Sequence, residues 1–254
     1  MLFVVDIGNT NTVLGVFRGA ELAASWRITT PRAQTGDEFG LLLRGLFATH
    51  QLDVTAISGV IVSSVVPPQD SMVRAAMRQV FGLDALFVGP GTKTGMAVRY
   101  EPPADVGADR IVNAVAAQAR FGAPAIVVDF GTATTFDVIS AKGEYVGGII
   151  CPGVGIAAES LFARTARLPR VEIREPGRLI GNTTVGSIQS GLYYGYLGLV
   201  DGLLERLLAE LGGHTPVVAT GGLAPLMTQG SKYIQHCDEG LTLEGLRLIW
   251  ERNN

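Results

Sequence analysis

The stretch Val4–Phe17, VVDIGNTNTVLGVF, constrains this chain more than any other, because its pattern occurs twice. An apolar run ends in an acid, Asp6. After Ile7 comes Gly8, then the polar residues Asn9, Thr10, Asn11 and Thr12, then a second β-like run from Val13 to Phe17. That order reads as strand, tight turn, strand, with an acid at the mouth of the turn. Such a turn offers backbone N–H groups and hydroxyls to a phosphate, and its acid can hold the cation that a phosphate brings. Shifted by 123 residues, Val4, Val5, Asp6, Gly8 and Thr12 fall on Val127, Val128, Asp129, Gly131 and Thr135 of VVDFGTATTFDVI. The shift is close to half of the 254 residues. The chain therefore reads as a duplicated fold with a cleft between its halves.

Composition narrows the function classes. With 47% hydrophobic residues each half can bury a core. The net charge is −3 and no basic block exists, which argues against nucleic acid. Two cysteines in unrelated contexts, Cys151 and Cys237, and three scattered histidines suit a reducing compartment without a disulfide framework or zinc site. Asp6 interrupts the first apolar run, so no signal peptide is expected. No uncharged apolar run reaches the ~18 residues of a spanning helix. A cytoplasmic protein without membrane contact is expected.

The order of elements predicts two mixed sheets covered by helices. In the first half, Glu21–Ile28 reads as a third strand. Thr35-Gly36-Asp37-Glu38 opens a helix, Gly59–Val66 is a strand broken by Pro67-Pro68, and Asp70–Phe81 is a helix. Ala85–Val88 reads as a short buried strand, and Val88–Tyr100 as a Gly-rich loop. In that loop Thr92 precedes Lys93, so a Walker motif fails. A helix is expected over Asp105–Phe121, with Asp109 and Arg110 in its first turn. An acid there is what the helix dipole favours. A cation there opposes the dipole and points to an anion nearby.

In the second half, Glu144–Cys151 reads as a strand and Ile156–Ala163 as a helix. Gly153-x-Gly155-x-x-Ala158 imitates a dinucleotide fingerprint but lacks a βαβ setting. The long helix Val185–Leu211 carries Gly191, Gly195, Gly198 and Gly202 within about 60° of one face. Such glycines ask for a backbone packed very close, from this chain or another. Pro216–Gly222 is a strand ending in Thr220-Gly221-Gly222, and Thr242–Trp250 is a closing helix.

Two matched acid-Gly-Thr turns followed by a Gly-Gly turn resemble the nucleotide elements of the acetate and sugar kinase, heat-shock ATPase and actin superfamily. The resemblance implies an α/β, duplicated actin-like (ribonuclease H-like) fold, with halves at 1–121 and 122–254. DIGNTNT, Gly107-Ala108-Asp109-Arg110, DFGTATTFD, GGIICPG at 147–153 and TGG together resemble the motif set of type III pantothenate kinases over essentially the whole chain. Gln229–Asp238 aligns least.

The family resemblance implies ATP-dependent phosphorylation of pantothenate to 4′-phosphopantothenate, the first step of coenzyme A biosynthesis. It implies Asp109 as the catalytic base. It implies ATP contacts at Asp6, Ile7, Gly8, Asn9, Thr10, Asn11, Thr12, Val13 and Thr132. It implies pantothenate contacts at Tyr100, Gly107, Ala108, Asp109, Arg110 and Thr184, and a monovalent cation, K⁺ or NH₄⁺, at Asp129. Mg²⁺ is expected with ATP, because the turns carry no Lys or Arg. A homodimer is expected, with the long helix at or near its interface; Thr184 reaches the partner's pantothenate site if that helix packs across the two-fold, and serves its own chain's site otherwise. Two other classes remain: another small-molecule kinase of the superfamily, and a non-catalytic nucleotide-binding regulatory protein.

Overall fold

A computed structural model describes residues 1–254 and divides them into two units. The first comprises Met1–Met96, Tyr100–Ala116 and Leu241–Asn254; the second comprises Ala97–Arg99 and Ala117–Gly240.

The first sheet grows from β1 (Leu2–Ile7), which is antiparallel to β2 (Asn11–Arg18) and parallel to β4 (Gly59–Ser64). With β3 (Glu21–Thr29) and β5 (Leu86–Phe87) the order is β3-β2-β1-β4-β5. β1 is apolar on both sides because both sides are covered. Phe3, Val5 and Ile7 pack with α1 (Gly36–Thr49) and α2 (Pro67–Phe81), where Phe3, Phe47 and Phe81 meet ring to ring at 5.2–5.5 Å. Fully burying each such side chain contributes roughly 1.5–3 kcal/mol. The helix start read at Thr35 is a capping box: the Thr35 hydroxyl accepts from the Glu38 N–H, and the Glu38 carboxylate accepts from the Thr35 N–H. Pro67-Pro68 does more than end a strand. It forms the first turn of α2, where a missing N–H costs nothing.

The other face of the first sheet is covered by the last helix, α7 (Leu241–Asn253). Leu243 lies against the position of Gly15, and the Trp250 ring occupies the space where a Gly59 Cβ would stand, 2.2 Å from it. The observed units divide the chain otherwise than at 121/122: Ala97–Arg99 and residues 117–121 fall in the second unit, and α7 falls in the first. α7 follows the second unit in sequence but buries Leu243, Leu246 and Ile249 in the first.

The second sheet repeats the plan. β6 (Ala125–Phe130) is antiparallel to β7 (Ala133–Ile139) and parallel to β9 (Val217–Thr220); β8 (Tyr145–Pro152) and β10 (His236–Cys237) lie at the edges. The order β8-β7-β6-β9-β10 matches β3-β2-β1-β4-β5 strand for strand. The duplication read in the sequence is thus a duplication of topology. Ile126, Val128 and Phe130 pack with α4 (Val154–Arg164), α5 (Thr184–Leu211) and α6 (Ala224–Gly230).

α5 buries Leu192, Tyr193, Leu197, Val200 and Leu204 and turns its glycines outward. A Cβ placed at Gly191, Gly195 or Gly198 would meet nothing within 4 Å, and one at Gly202 only the Arg206 guanidinium. No segment of this chain supplies the close backbone that the glycine face asks for. The helix expected from Asp105 begins at Ala108 as α3 (Ala108–Phe121), behind a single 3₁₀ turn at Pro103–Asp105. No helix is long and apolar enough to cross a membrane.

Candidate active site

In the first unit, β1 delivers Asp6 to the end of the sheet, half-buried, opposite Val13 on β2 and beside Ser63 on β4. Residues in register on parallel neighbours share a face, so the Asp6 carboxylate and the Ser63 hydroxyl stand on the same face of the sheet. The Ser63 hydroxyl is fully buried and makes no hydrogen bond within the protein. The turn between β1 and β2 closes by the Gly8 N–H donating to the Asn11 carbonyl at 3.0 Å, and a Gly8 Cβ would stand 3.0 Å from that same oxygen. The Thr30 N–H donates to the Thr10 carbonyl at 2.9 Å, and the Thr12 and Thr30 hydroxyls share a 2.8 Å bond. Asn9 and Thr10 are exposed at the tip.

The second constellation in this unit is the start of α3. Asp109 is half-buried and its Oδ1 accepts the Arg110 backbone N–H at 2.8 Å. Arg110 is buried, 8% exposed. Burial pushes the Asp109 carboxyl above the usual carboxylate range, opposed by the Arg110 N–H and the Arg110 guanidinium. The direction matters because a helix N-terminus by itself favours the charged acid. A Cβ on Gly107 would stand 2.5 Å from Asp109 Oδ1 and 3.3 Å from Val65 Cγ1. Glycine at 107 is therefore what leaves the carboxylate its room. Tyr100 lies, half-buried, in the segment that leads into this helix.

In the second unit Asp129 stands where Asp6 stands in the first, half-buried, opposite Thr135 on β7 and beside Thr220 on β9. The turn is one residue tighter: Asp6 pairs with Val13, whereas Asp129 pairs with Thr135. The Gly131 N–H donates to the Ala133 carbonyl at 3.1 Å. Two glycines from distant segments back this turn. Gly221 has φ +91°, and a Cβ there would stand 2.4 Å from Asp129 Oδ1. A Gly153 Cβ would stand 2.2 Å from the Thr132 carbonyl oxygen, and the Gly153 N–H donates to that oxygen at 3.1 Å. The Tyr196 hydroxyl donates to the carbonyls of Pro152 and Gly153 at 3.0 and 3.2 Å.

The expected residues thus fall into three local groups: Asp6 to Val13 in one turn, Gly107 to Arg110 at one helix start, and Asp129 with Thr132 in the other turn. Thr184 stands apart. It is exposed as the first residue of α5, after Thr183, whose hydroxyl accepts the Gly186 N–H. A cavity of about 430 Å³ there is lined by Arg174, Arg178, Asn182 and Gly186 among others. Sequence reasoning missed Ser63 as a neighbour of Asp6, and Gly153 and Tyr196 as supports of the second turn. In the sequence Gly153 stands in a failed dinucleotide pattern and closes the GGIICPG motif, neither of which points to the Thr132 carbonyl as what it supports.

A family model described as type III pantothenate kinase matches residues 2–206. Type III pantothenate kinases of Koribacter versatilis, Myxococcus xanthus and Moorella thermoacetica are 59%, 54% and 53% identical to it, covering the whole of this chain and 96%, 99% and 100% of their own lengths. Among solved structures, a Baf family protein of Campylobacter jejuni superposes with a TM-score of 0.62 at 18% identity, covering 99% of this chain and 98% of its own. The activator of 2-hydroxyisocaproyl-CoA dehydratase from Clostridium difficile, with bound ADPNP, superposes with a TM-score of 0.54 at 12% identity, covering 99% and 95%. These two likenesses establish the duplicated α/β fold alone. The full-length identities and the matching family model establish more: the chain belongs to the type III pantothenate kinase family.

Proposed function

We propose that this chain transfers the γ-phosphoryl group of ATP to the primary hydroxyl of pantothenate, forming 4′-phosphopantothenate for coenzyme A biosynthesis. The observation that carries the reading is Asp109. It is a half-buried carboxyl, raised above its usual range, held at a helix start with Arg110 next to it. A base poised nearer the working pH accepts the hydroxyl proton more effectively as the new P–O bond forms. Arg110 is the cation suited to an anionic acceptor such as the pantothenate carboxylate. Tyr100, Gly107, Ala108 and Thr184 complete the proposed acceptor contacts. Asp6, Ile7, Gly8, Asn9, Thr10, Asn11, Thr12, Val13 and Thr132 form the proposed contacts with ATP, through backbone N–H groups and hydroxyls.

The donor atoms fit the cations expected with ATP. No group of three or more His, Cys, Asp or Glu side chains lies together. An ion held by one or two oxygens plus substrate phosphate is the Mg²⁺ pattern, and Asp6 with the buried Ser63 hydroxyl is such a pair. Asp129, whose carboxylate fills the space left by Gly221, suits a monovalent ion, K⁺ or NH₄⁺. When bound, these ions neutralise the charge that develops on the transferring phosphoryl group. The protein's own residues orient the acceptor hydroxyl, take its proton and hold the phosphates by backbone N–H groups.

We further propose a homodimer through α5. The open face at Gly191, Gly195 and Gly198 supports it, as do the exposed Ile150, Ile156, Phe162, Leu179, Ile180 and Val185. Two free cysteines, Cys237 exposed, suit the cytoplasm. The test is coupled ATP consumption with pantothenate, with and without potassium, beside a panel of other alcohols. Turnover only with another alcohol would reassign the substrate. ATP binding without turnover on any of them would leave a regulatory protein.

A further inference from the structure

The helix that covers the first sheet is tied at both of its ends. Near its start, the Thr242 hydroxyl donates to Asn113 Oδ1 at 2.7 Å, one turn beyond Asp109 on α3. Gly245 meets the same stretch: a Cβ there would stand 2.1 Å from the Val112 carbonyl oxygen. Gly245 thus meets the Val112 backbone and Cγ1 methyl with no side chain of its own.

At its far end α7 grips the Gly-rich loop. The Asn253 carboxamide accepts the Lys93 N–H at 3.1 Å and donates to the Lys93 carbonyl at 3.0 Å. This is the two-point pairing a neighbouring strand would make, at a place where the loop has no strand. The carboxamide is itself fixed by donating to Ile249 O at 2.7 Å. One residue on, the Arg252 guanidinium donates to the Thr94 carbonyl. It lies against Gly95, whose φ of +74° and missing Cβ both make room for it. The loop then anchors through Met96, 7% exposed, and through Ala97 and Arg99, whose backbone carbonyl and N–H pair with Tyr145 at 2.9 and 2.8 Å, and the next residue is Tyr100.

From this we propose that Arg252 and Asn253 are positioning residues for the acceptor substrate. They hold the loop at Lys93–Gly95 in fixed register with the helix that carries Asp109. The inference rests on the reading of Tyr100 and Asp109 as pantothenate residues. Neither positioning residue touches substrate; they act through the loop and through α7.

The test compares wild type with the Arg252→Ala/Asn253→Ala double variant and with Arg252→Lys, in the full chain. Removing the grip frees Lys93–Gly95 and leaves the segment before Tyr100 held by Met96 and by the pairing of Ala97 and Arg99 with Tyr145 alone. The double variant is expected to raise KM for pantothenate about tenfold, the worth of one to two net hydrogen bonds. KM for ATP stays within about twofold. Arg252→Lys, whose ammonium still donates to the Thr94 carbonyl, keeps most of the wild-type KM. In the ligand-free protein the Lys93 amide exchanges its hydrogen faster in the double variant. Unchanged exchange would overturn the grip. Faster exchange with an unchanged pantothenate KM would reduce these residues to structural ones and overturn the proposal, as would equal rises in both KM values. A wild type that ignores pantothenate would instead remove the reading on which the inference rests, and the exchange comparison would still judge the grip by itself.

Discussion

Replacing Asp109 by Asn exchanges one carboxylate oxygen for an amide group and leaves the shape of the α3 start intact. The Asn carbonyl can still accept the Arg110 N–H, so that turn should hold. What is lost is the proposed base. A positioned general base contributes about 10²–10⁴ in rate, about 3–5 kcal/mol of barrier. Turnover should fall by that factor, with ATP and pantothenate affinities nearly unchanged by calorimetry. The same substitution has a stability signature of opposite sign. Burial raises the Asp109 carboxyl in the folded state. Below the unfolded-state value of about 3.9 both states are protonated and the group is neutral to stability. As pH rises past that value the unfolded chain releases its proton first. The fold then loses about 1.4 kcal/mol for each pH unit separating the two values, until the folded group titrates as well. Asn carries no such charge. Asp109→Asn should therefore melt higher than wild type at pH 7, with the gain shrinking as pH falls and vanishing near pH 4. Thermal unfolding across pH 3–8 and a coupled kinase assay read both effects. Near-normal turnover would refute the assignment of the base, and a stability difference independent of pH would refute the account of its burial.

Asp129→Asn should abolish the activation of turnover by potassium while the wild type retains it; a potassium-indifferent wild type would contradict the cation role. Gly153→Ala places a methyl group against the Thr132 carbonyl oxygen, so KM for ATP should rise several-fold more than KM for pantothenate. Equal effects on both would mean that Gly153 does not support the ATP turn. If sites are shared across a two-fold, mixing inactive Asp109→Asn chains with inactive Thr184→Arg chains should restore activity, because one site of each mixed dimer carries neither lesion. No recovery with subunit exchange confirmed would place Thr184 in its own chain's site, and a monomer in sedimentation would end the dimer proposal.

The two acid-Gly-Thr turns were legible because a strand, a tight turn and a returning strand are written in consecutive residues. The Thr35 capping box was legible for the same reason. Pro67 was misread because proline ends a strand and opens a helix equally well, and only the chain beyond it decides which. The unit to which α7 belongs was not legible: an amphipathic helix shows that it will be covered, not by which sheet. The roles of Gly153 and Gly221 were hidden because what they make room for, the Thr132 carbonyl and the Asp129 carboxylate, lies 21 and 92 positions away. The glycine face of α5 announced a close neighbour, and the tertiary structure shows that this chain does not provide one. Asp109 marks the boundary most clearly. Helix grammar by itself favours its charged form at a helix start, and desolvation by residues brought from elsewhere pushes its carboxyl the other way. Local patterns are set by neighbours in sequence, whereas burial and close approach are set by neighbours in space, which only folding assembles.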